Sequence, residues 1–426
     1  MANSWLAAAL PFLVACGGGP DNLGPTGSPT AVRLSLDTAT IGIDGSVTLI
    51  ARDASGRTIE QSVLEWTSSQ VGVARVEEAG LVTGVGAGET EIRARVGELV
   101  DTARITVLPL ISLGAAEPRA INAAGTVGGD VRGQAFVWSR TGGIRLLDGL
   151  AGRNGDAVLG LSDRQTAVGF SGGGDFTTGQ PVVWTLHEDG TVTVERLPWD
   201  EGPTGFAHGV SRGGDRIVGQ VFAQPEPTRF SPRAAVWTRD SNGHWQIELL
   251  PLPPEAYGAA FRANDSGLVL GLIEAPGPQG FTTSLTVWQQ SAERTWTVST
   301  IATGALGTVS AGGINAGGDV VGAQGDRAML WTRSIGGWTA RDLGDLGGTD
   351  FSFAADVTDA GAVVGASFDS QGRQRAFVWT SAEGMRDLGS LSLNASARVM
   401  NAAGLVAGVS YQPEAPDVIG TVWPAP

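Results

Sequence analysis

The chain has 426 residues, 42% of them apolar, which is enough for two or three domains with their own cores. Its 28 basic residues are all Arg and face 43 acids, a formal charge of −15 that argues against non-specific binding to nucleic acid or an anionic membrane. The one cysteine, Cys16, excludes an intramolecular disulfide, and the 64 Gly follow no Gly-X-Y period, which suits tight turns between short strands. In chain order, the first element is Trp5 to Ala15, an apolar run broken only by Pro11. It is too short to span a bilayer, which takes about 20 residues, and has the length of a signal-peptide apolar region. Gly17 to Thr30 is rich in Gly, Pro, Asn and Ser and reads as a flexible tether.

The apolar run ends in Leu13-Val14-Ala15-Cys16, followed by Gly17-Gly18-Gly19. This resembles the lipobox of bacterial lipoproteins. Met1 to Ser4 depart from that pattern in carrying no basic residue. The resemblance implies that residues 1–15 are a removed signal peptide and that Cys16 carries the lipid. It also implies that residues 16–30 tether an exported protein to a bacterial membrane, at the outer membrane or cell surface. Two acyl chains anchor stably where one is marginal.

Residues 31–109 read as short strands with frequent turns, the pattern of a β-sandwich. Val32-Arg-Leu-Ser-Leu36, Ser46-Val-Thr-Leu-Ile50 and Ile105-Thr-Val107 are the clearest strands, with turns at Asp44-Gly45, Ser55-Gly56 and Ala79-Gly80. The words Trp66-Thr-Ser-Ser69, Val73-Ala-Arg-Val76, Gly80-Leu-Val-Thr-Gly-Val-Gly-Ala-Gly88 and Thr90-Glu-Ile-Arg-Ala94 resemble the bacterial Ig-like domain, group 2. The resemblance implies a spacer or adhesion module with Trp66 as its core aromatic and Gly84, Gly86 and Gly88 shaping a tight connection.

From residue 110 the chain repeats itself. Trp138, Trp184, Trp237, Trp288, Trp331, Trp379 and Trp423 recur, each preceded by an aliphatic residue. Neighbours in a strand face opposite sides, so both faces of each sheet must be covered. Upstream of each Trp lies a hairpin word. Six copies run from Ile121-Asn-Ala-Ala-Gly-Thr-Val-Gly-Gly129 to Met400-Asn-Ala-Ala-Gly-Leu-Val-Ala-Gly408, and a seventh, Val210 to Gly219, is one residue longer. Four strands per unit at this period predict β-propeller blades. The last unit shows three strands, and Leu110 to Leu113 supplies a fourth, closing the sheet edges. The predicted fold is all-β: an Ig-like sandwich, then a seven-bladed propeller over residues 110–426, closed by strand 110–113.

The repeat also resembles the HAF family of bacterial extracellular repeats, through the hairpin word and through Ala135-Phe-Val-Trp138 and Ala376-Phe-Val-Trp379. The His that names that family is replaced by Gln134, Arg327 and Arg375. The resemblance brings no assigned chemistry.

No catalytic set stands out. Ser171 and Ser211 lie in Gly-x-Ser-x-Gly strings but lack the strand–turn–helix setting of a nucleophile elbow. His187, His208 and His244 have no zinc-ligand spacing, and Asp189, Asp240, Asp369 and Glu383 suit turns. Propeller geometry instead gathers loops on one face. Arg229, Phe230, Arg233, Phe281, Arg327, Arg373, Arg375 and Tyr411 fall there, with Trp199, Asp200, Tyr257 and Asp345 in the blade-to-blade connections. Arg and aromatics are typical binding anchors. The sequence reading is therefore a lipid-anchored binding or adhesion protein, a monomer with no cofactor or metal. Its expected partners are the membrane through its lipid and a glycan or surface protein, with no nucleic acid. It leans away from an enzyme, with two alternatives: a propeller enzyme acting on polysaccharide, for which Asp200, Asp345 and Tyr257 are the candidates, and a structural envelope component.

Overall fold

A computed structural model describes residues 29–152, 154–173, 178–199, 202, 204–226, 229–277, 280–413 and 418–424. The side chains of 223–230 and 349–350 lie outside the description, as do Cys16, the apolar run and Asp200. Among the described residues no helix is long and apolar enough to cross a membrane.

The chain is all-β, an Ig-like domain followed by repeating four-stranded antiparallel sheets that resemble propeller blades. In the Ig-like part, Leu99–Ser112 pairs antiparallel with Gly88–Val96 and parallel with Thr38–Ile43. Leu49, Ala74, Val82, Ile92 and Ile105 are fully buried between its sheets. Trp66 packs on this core from the edge, half-buried, and its indole N–H donates to Gln61 Oε1 at 3.3 Å. The resemblance implied Trp66 as the core aromatic; it packs against the core only partly buried, and aliphatic side chains fill the fully buried part.

Six four-stranded sheets follow, the first built from Ala116–Ile121, Val127–Val131, Gln134–Ser139 and Gly143–Leu146 in sequence order. A final set, Asn394–Met400, Val406–Tyr411 and Val418–Trp423, has three strands of its own. Its fourth is the end of the Ig-like domain's long strand: Ile111 pairs with Val422 and Ser112 with Thr421. The expected closing strand is thus no separate element. Leu99–Ser112 serves two domains, so the boundary drawn at residues 109 and 110 falls inside a strand. Pro109, which has no N–H for a ladder, sits at the register shift between the two uses.

The aliphatic–Trp pairs face opposite ways. Val137 packs in one cluster with Trp184, Val183 with Trp237, and Val236 with Trp288. Val287 packs with Trp331, Leu330 with Trp379, Val378 with Trp423, and Val422 with Trp138. Each sheet therefore buries its Trp against the sheet before it. Four of these indoles also donate to the preceding connection, at Asp148, Pro198, Pro251 and Gly389 carbonyls, 2.8–3.1 Å away.

The hairpin word has two structural jobs. Its first polar residue ties the turn: Asn122, Asn264, Asn315 and Asn401 each accept the N–H four residues on, at 2.9–3.0 Å. The same amides donate sideways to the equivalent turn of the next sheet, and Asn401 donates to the Asn122 carbonyl at 3.2 Å. The word's last residue, Gly129, Gly169, Gly219, Gly271, Gly322, Gly365 or Gly408, lies against an inner-strand carbonyl so closely that a Cβ would overlap it. Opposite that contact every inner strand carries a bulge.

Gly365→Ala is expected to cost about 1–3 kcal/mol or more, because the Phe353 carbonyl fills the space of the new methyl group. Gly336→Ala, at an open turn with nothing nearby, should stay within about 0.5 kcal/mol of the parent. Urea unfolding of the two variants checks this, and equal stabilities would remove the steric account of the word.

Candidate functional site

A bulge gives one extra residue that the neighbouring strand does not pair, and it re-aims that side chain. Here the extra residues are Arg119, Leu159, His208, Phe261, Gly312, Ala355 and Arg398. Each stands three residues before the first polar residue of its hairpin word. All seven line one cavity of about 290 Å³, together with Arg262, Ser310, Ala311, Phe353 and Ala354. Seven separate sheets thus present the same register position to a shared space.

The charged groups lining this cavity are Arg119, Arg262 and Arg398, with no carboxylate among the lining residues. Their acids stand behind them. Arg119 Nε donates to Asp130 at 2.8 Å, and its Nη2 to Glu117 at 3.0 Å. Arg398 Nη1 donates to the same Glu117 at 3.2 Å and to the Pro118 carbonyl at 3.3 Å. That leaves Arg119 Nη1 and Arg398 Nε and Nη2 without an acceptor among the described residues. Burial, and then the neighbouring Arg119 charge, push the Arg398 pKa down against the pull of Glu117. Arg262, on the opposite wall, is lowered by burial and held up by the charge of Asp356. Its Nη1 donates to the Phe261 carbonyl at 3.0 Å. Burial raises the Asp356 carboxyl although it accepts the Met400 and Val357 N–H groups, each at 2.9 Å.

The remaining wall is aromatic. His208 stacks on Phe206 with ring centroids 5.9 Å apart and lies 5.2 Å from Phe261. Burial and then the Arg262 charge push the His208 pKa down to about 4, against an upward pull from Gln220, so the ring is neutral at pH 7. A second cavity of about 600 Å³ adjoins along His208 and Phe261. Phe222, Pro232, Tyr257 and Leu272 line it, and Gln220 and Glu274 add polar groups to those of His208 and Tyr257. At the turn end of the sheets, Arg212 of the third donates to Asp359 of the sixth at 2.6 Å. Burial works against the Arg212 charge, but that bond and the charges of Asp359, Asp163 and Asp265 hold its pKa above the usual value.

The residues expected on the loop face are scattered. Tyr257 lines the second cavity and stacks on Phe281, ring centroids 5.7 Å apart. Arg233 is half-buried in Arg229–Arg239, and the side chains of Arg229 and Phe230 lie outside the description. Arg327 is taken up by Asp342 and Asp345, Arg373 by Asp369 in its own turn, and Arg375 by Asp387. The Tyr411 hydroxyl donates to Gln374 at 2.7 Å. Trp199 is a core residue, 4% exposed, whose indole N–H donates to the Phe222 carbonyl. Ser211 is buried, donating to Asp215 at 2.6 Å within its turn, and the Ser171 Oγ accepts the Leu150 N–H. Among the described residues no group of three His, Cys, Asp or Glu could hold a metal ion. Sequence reasoning missed Arg119, Arg262, Phe261 and Arg398 because it looked for anchors in loops. The signal was the fixed offset before each hairpin word.

Residues 29–107 match the bacterial Ig-like domain (group 2). No curated protein matches the chain. Among solved structures, it is similar to the Pyrococcus horikoshii acylaminoacyl peptidase at 10% identity and a TM-score of 0.47, covering 72% of this chain and 51% of that one. A Mycobacterium tuberculosis puromycin-hydrolysing peptidase matches at 12% identity and 0.45, covering 91% and 59%. A Xanthomonas campestris gluconolactonase matches at 15% and 0.35, covering 63% and 85%. The chain spans little more than half the length of these two peptidases. Against the expectation that leaned away from an enzyme, several of the solved structures that resemble this chain are hydrolases, and that expectation is withdrawn.

His208 makes stability depend on acid. Between about pH 6.5 and 4 the unfolded chain holds a proton on this residue that the folded chain does not, so stability falls as pH drops through that window. The raised Asp356 acts with the opposite sign, so the test is a difference. His208→Gln should remove up to about 3 kcal/mol of the acid sensitivity between pH 7 and 4. Parallel urea titrations at several pH values read it, and identical pH slopes would refute the buried neutral imidazole.

Proposed function

We propose that the seven sheets form a closed seven-bladed propeller, and that its axial cavity binds a small anionic ligand. The observation that carries this reading is the lining: three guanidinium groups and no carboxylate, in a chain with a formal charge of −15. Half-buried Arg forks with unspent donors suit carboxylate or phosphate oxygens. Like charge between Arg119 and Arg398 is relieved when an anion sits between them. Support for closure comes from the contacts that join the last set to the first, Asn401 to Asn122, Arg398 to Glu117 and Val422 with Trp138.

The reading covers a scaffold that holds its ligand and an enzyme that turns it over. It prefers both to adhesion, because the unpaired donors belong to residues that line one shared cavity and the loop-face Arg residues 327, 373 and 375 are already paired. His208 is the titratable group at the cavity that is neutral at pH 7. We further propose that Cys16 carries a lipid and that the Ig-like module spaces a HAF-type repeat propeller from a bacterial membrane.

Titration calorimetry with acetate and with inorganic phosphate tests the site. Arg398→Gln and Arg119→Gln should each weaken the anion that binds by about tenfold or more, since a hydrogen bond to a charged group is worth about 1.5–3 kcal/mol. Arg341→Gln, on an outer strand, should leave it unchanged. Anion binding insensitive to both cavity substitutions would reject the axial reading. For the anchor, Cys16→Ser should move the protein from the membrane to the soluble fraction, and a variant that stays with the membrane would count against lipidation.

A further inference from the structure

We infer that the ligand has two parts, a single carboxylate at the axis and an aromatic or compact apolar body in the adjoining cavity between the third and fourth sheets. This rests on the axial anion-binding reading and goes beyond it. The two cavities share His208 and Phe261 as lining residues, so a molecule long enough to cross the small cavity from Arg119 and Arg398 extends into the larger one. That second space is bounded by Phe222, Tyr257 and Leu272, which reward burial of apolar surface. Its volume of about 600 Å³ exceeds what one ring needs and lies in the range of small-molecule pockets.

The charges fix the direction. The small cavity is lined by Arg and by no acid, whereas Glu274 lines the large one. A carboxylate inserted the wrong way would lie near Glu274 and lose the guanidinium groups, so one orientation is selected by attraction at one end and repulsion at the other. A dianion with charges at both ends meets the same repulsion. The preferred class is therefore an aryl- or alkyl-substituted monocarboxylic acid.

The test uses the full chain and three probes in titration calorimetry: 3-phenylpropionate, acetate and 3-phenylpropan-1-ol. The expected order is 3-phenylpropionate tighter than acetate by about 10- to 100-fold, the gain of burying one ring. The alcohol should bind at least about tenfold more weakly than the acid, for want of the charge-assisted bonds. Leu272→Trp, which fills the second cavity, should bring 3-phenylpropionate down to the level of acetate and leave acetate unchanged. Should that variant fail to fold, the wild-type series from acetate through butyrate to 3-cyclohexylpropionate carries the same information, because affinity must climb with the body. Equal affinity for acetate and 3-phenylpropionate, with both weakened by Arg398→Gln, would overturn the two-part ligand and leave the axial anion site standing. Equal affinity for acid and alcohol, indifferent to Arg398→Gln, would overturn the anion site itself.

Discussion

A missing methyl group governs the architecture. At the end of every hairpin word a glycine lies against the carbonyl two residues before the bulge, as Gly129 does against Glu117 and Gly408 against Ser396. Any Cβ there would push the two strands apart. The close approach lets the inner strand carry one extra residue without losing its ladder on either side, and that residue leaves the pairing to face the shared cavity. The same small feature therefore curves seven sheets and chooses seven side chains. Because the offset is fixed, the repeat can vary the chemistry at that position, from Arg to Gly, while its packing stays constant.

The second constraint is that every sheet must be covered on both faces. Adjacent aliphatic and Trp side chains meet it by pointing to opposite neighbours, and the indole N–H groups find carbonyls in the connection just before them. Stitches between the turns add direction. The Ala123, Gly213 and Ala316 N–H groups donate to Asp163, Asp265 and Asp359 of the following sheets, at 2.7–3.0 Å. These bonds use the polar residues that make the word look like a plain turn. The long strand Leu99–Ser112 extends the logic to the Ig-like domain, since it belongs to that domain's sheet and to the last sheet of the repeat. A linker would leave the two parts free to turn, but a shared strand fixes one against the other.

This explains what could and could not be read from the sequence. The strands, the four-per-unit count and the role of the Trp residues follow from local pattern, because β alternation and turn chemistry act over a few residues. The Ig-like words match a known domain over residues 29–107 for the same reason. The cavity did not follow, because it is assembled by residues that lie in different repeats, Arg119 and Arg398 being 279 positions apart. Each of them, taken alone, is an Arg inside a strand, which reads as a surface residue. Loop Arg residues look more like anchors, yet Arg327, Arg373 and Arg375 spend their charge on Asp partners nearby. Trp199 drew attention for its residue type and proved to be core, since a buried indole needs only one acceptor and the Phe222 carbonyl supplies it.

The contrast between the surface and the cavity bears on which ligands fit. With 43 acids and 28 Arg the chain repels anions at long range, and salt weakens that repulsion over about 8–10 Å. At the cavity three half-buried Arg residues act over a few ångströms, well inside the screening length. A polyanionic polymer would bring one charge to the Arg residues and drag the rest across an acidic surface, paying the repulsion many times. A molecule with one charge, held in the cavity, meets that repulsion once on entry and then keeps the short-range attraction. Acidic exterior and Arg-lined cavity thus work together as a filter, favouring a compact monoanion over a polyanionic polymer.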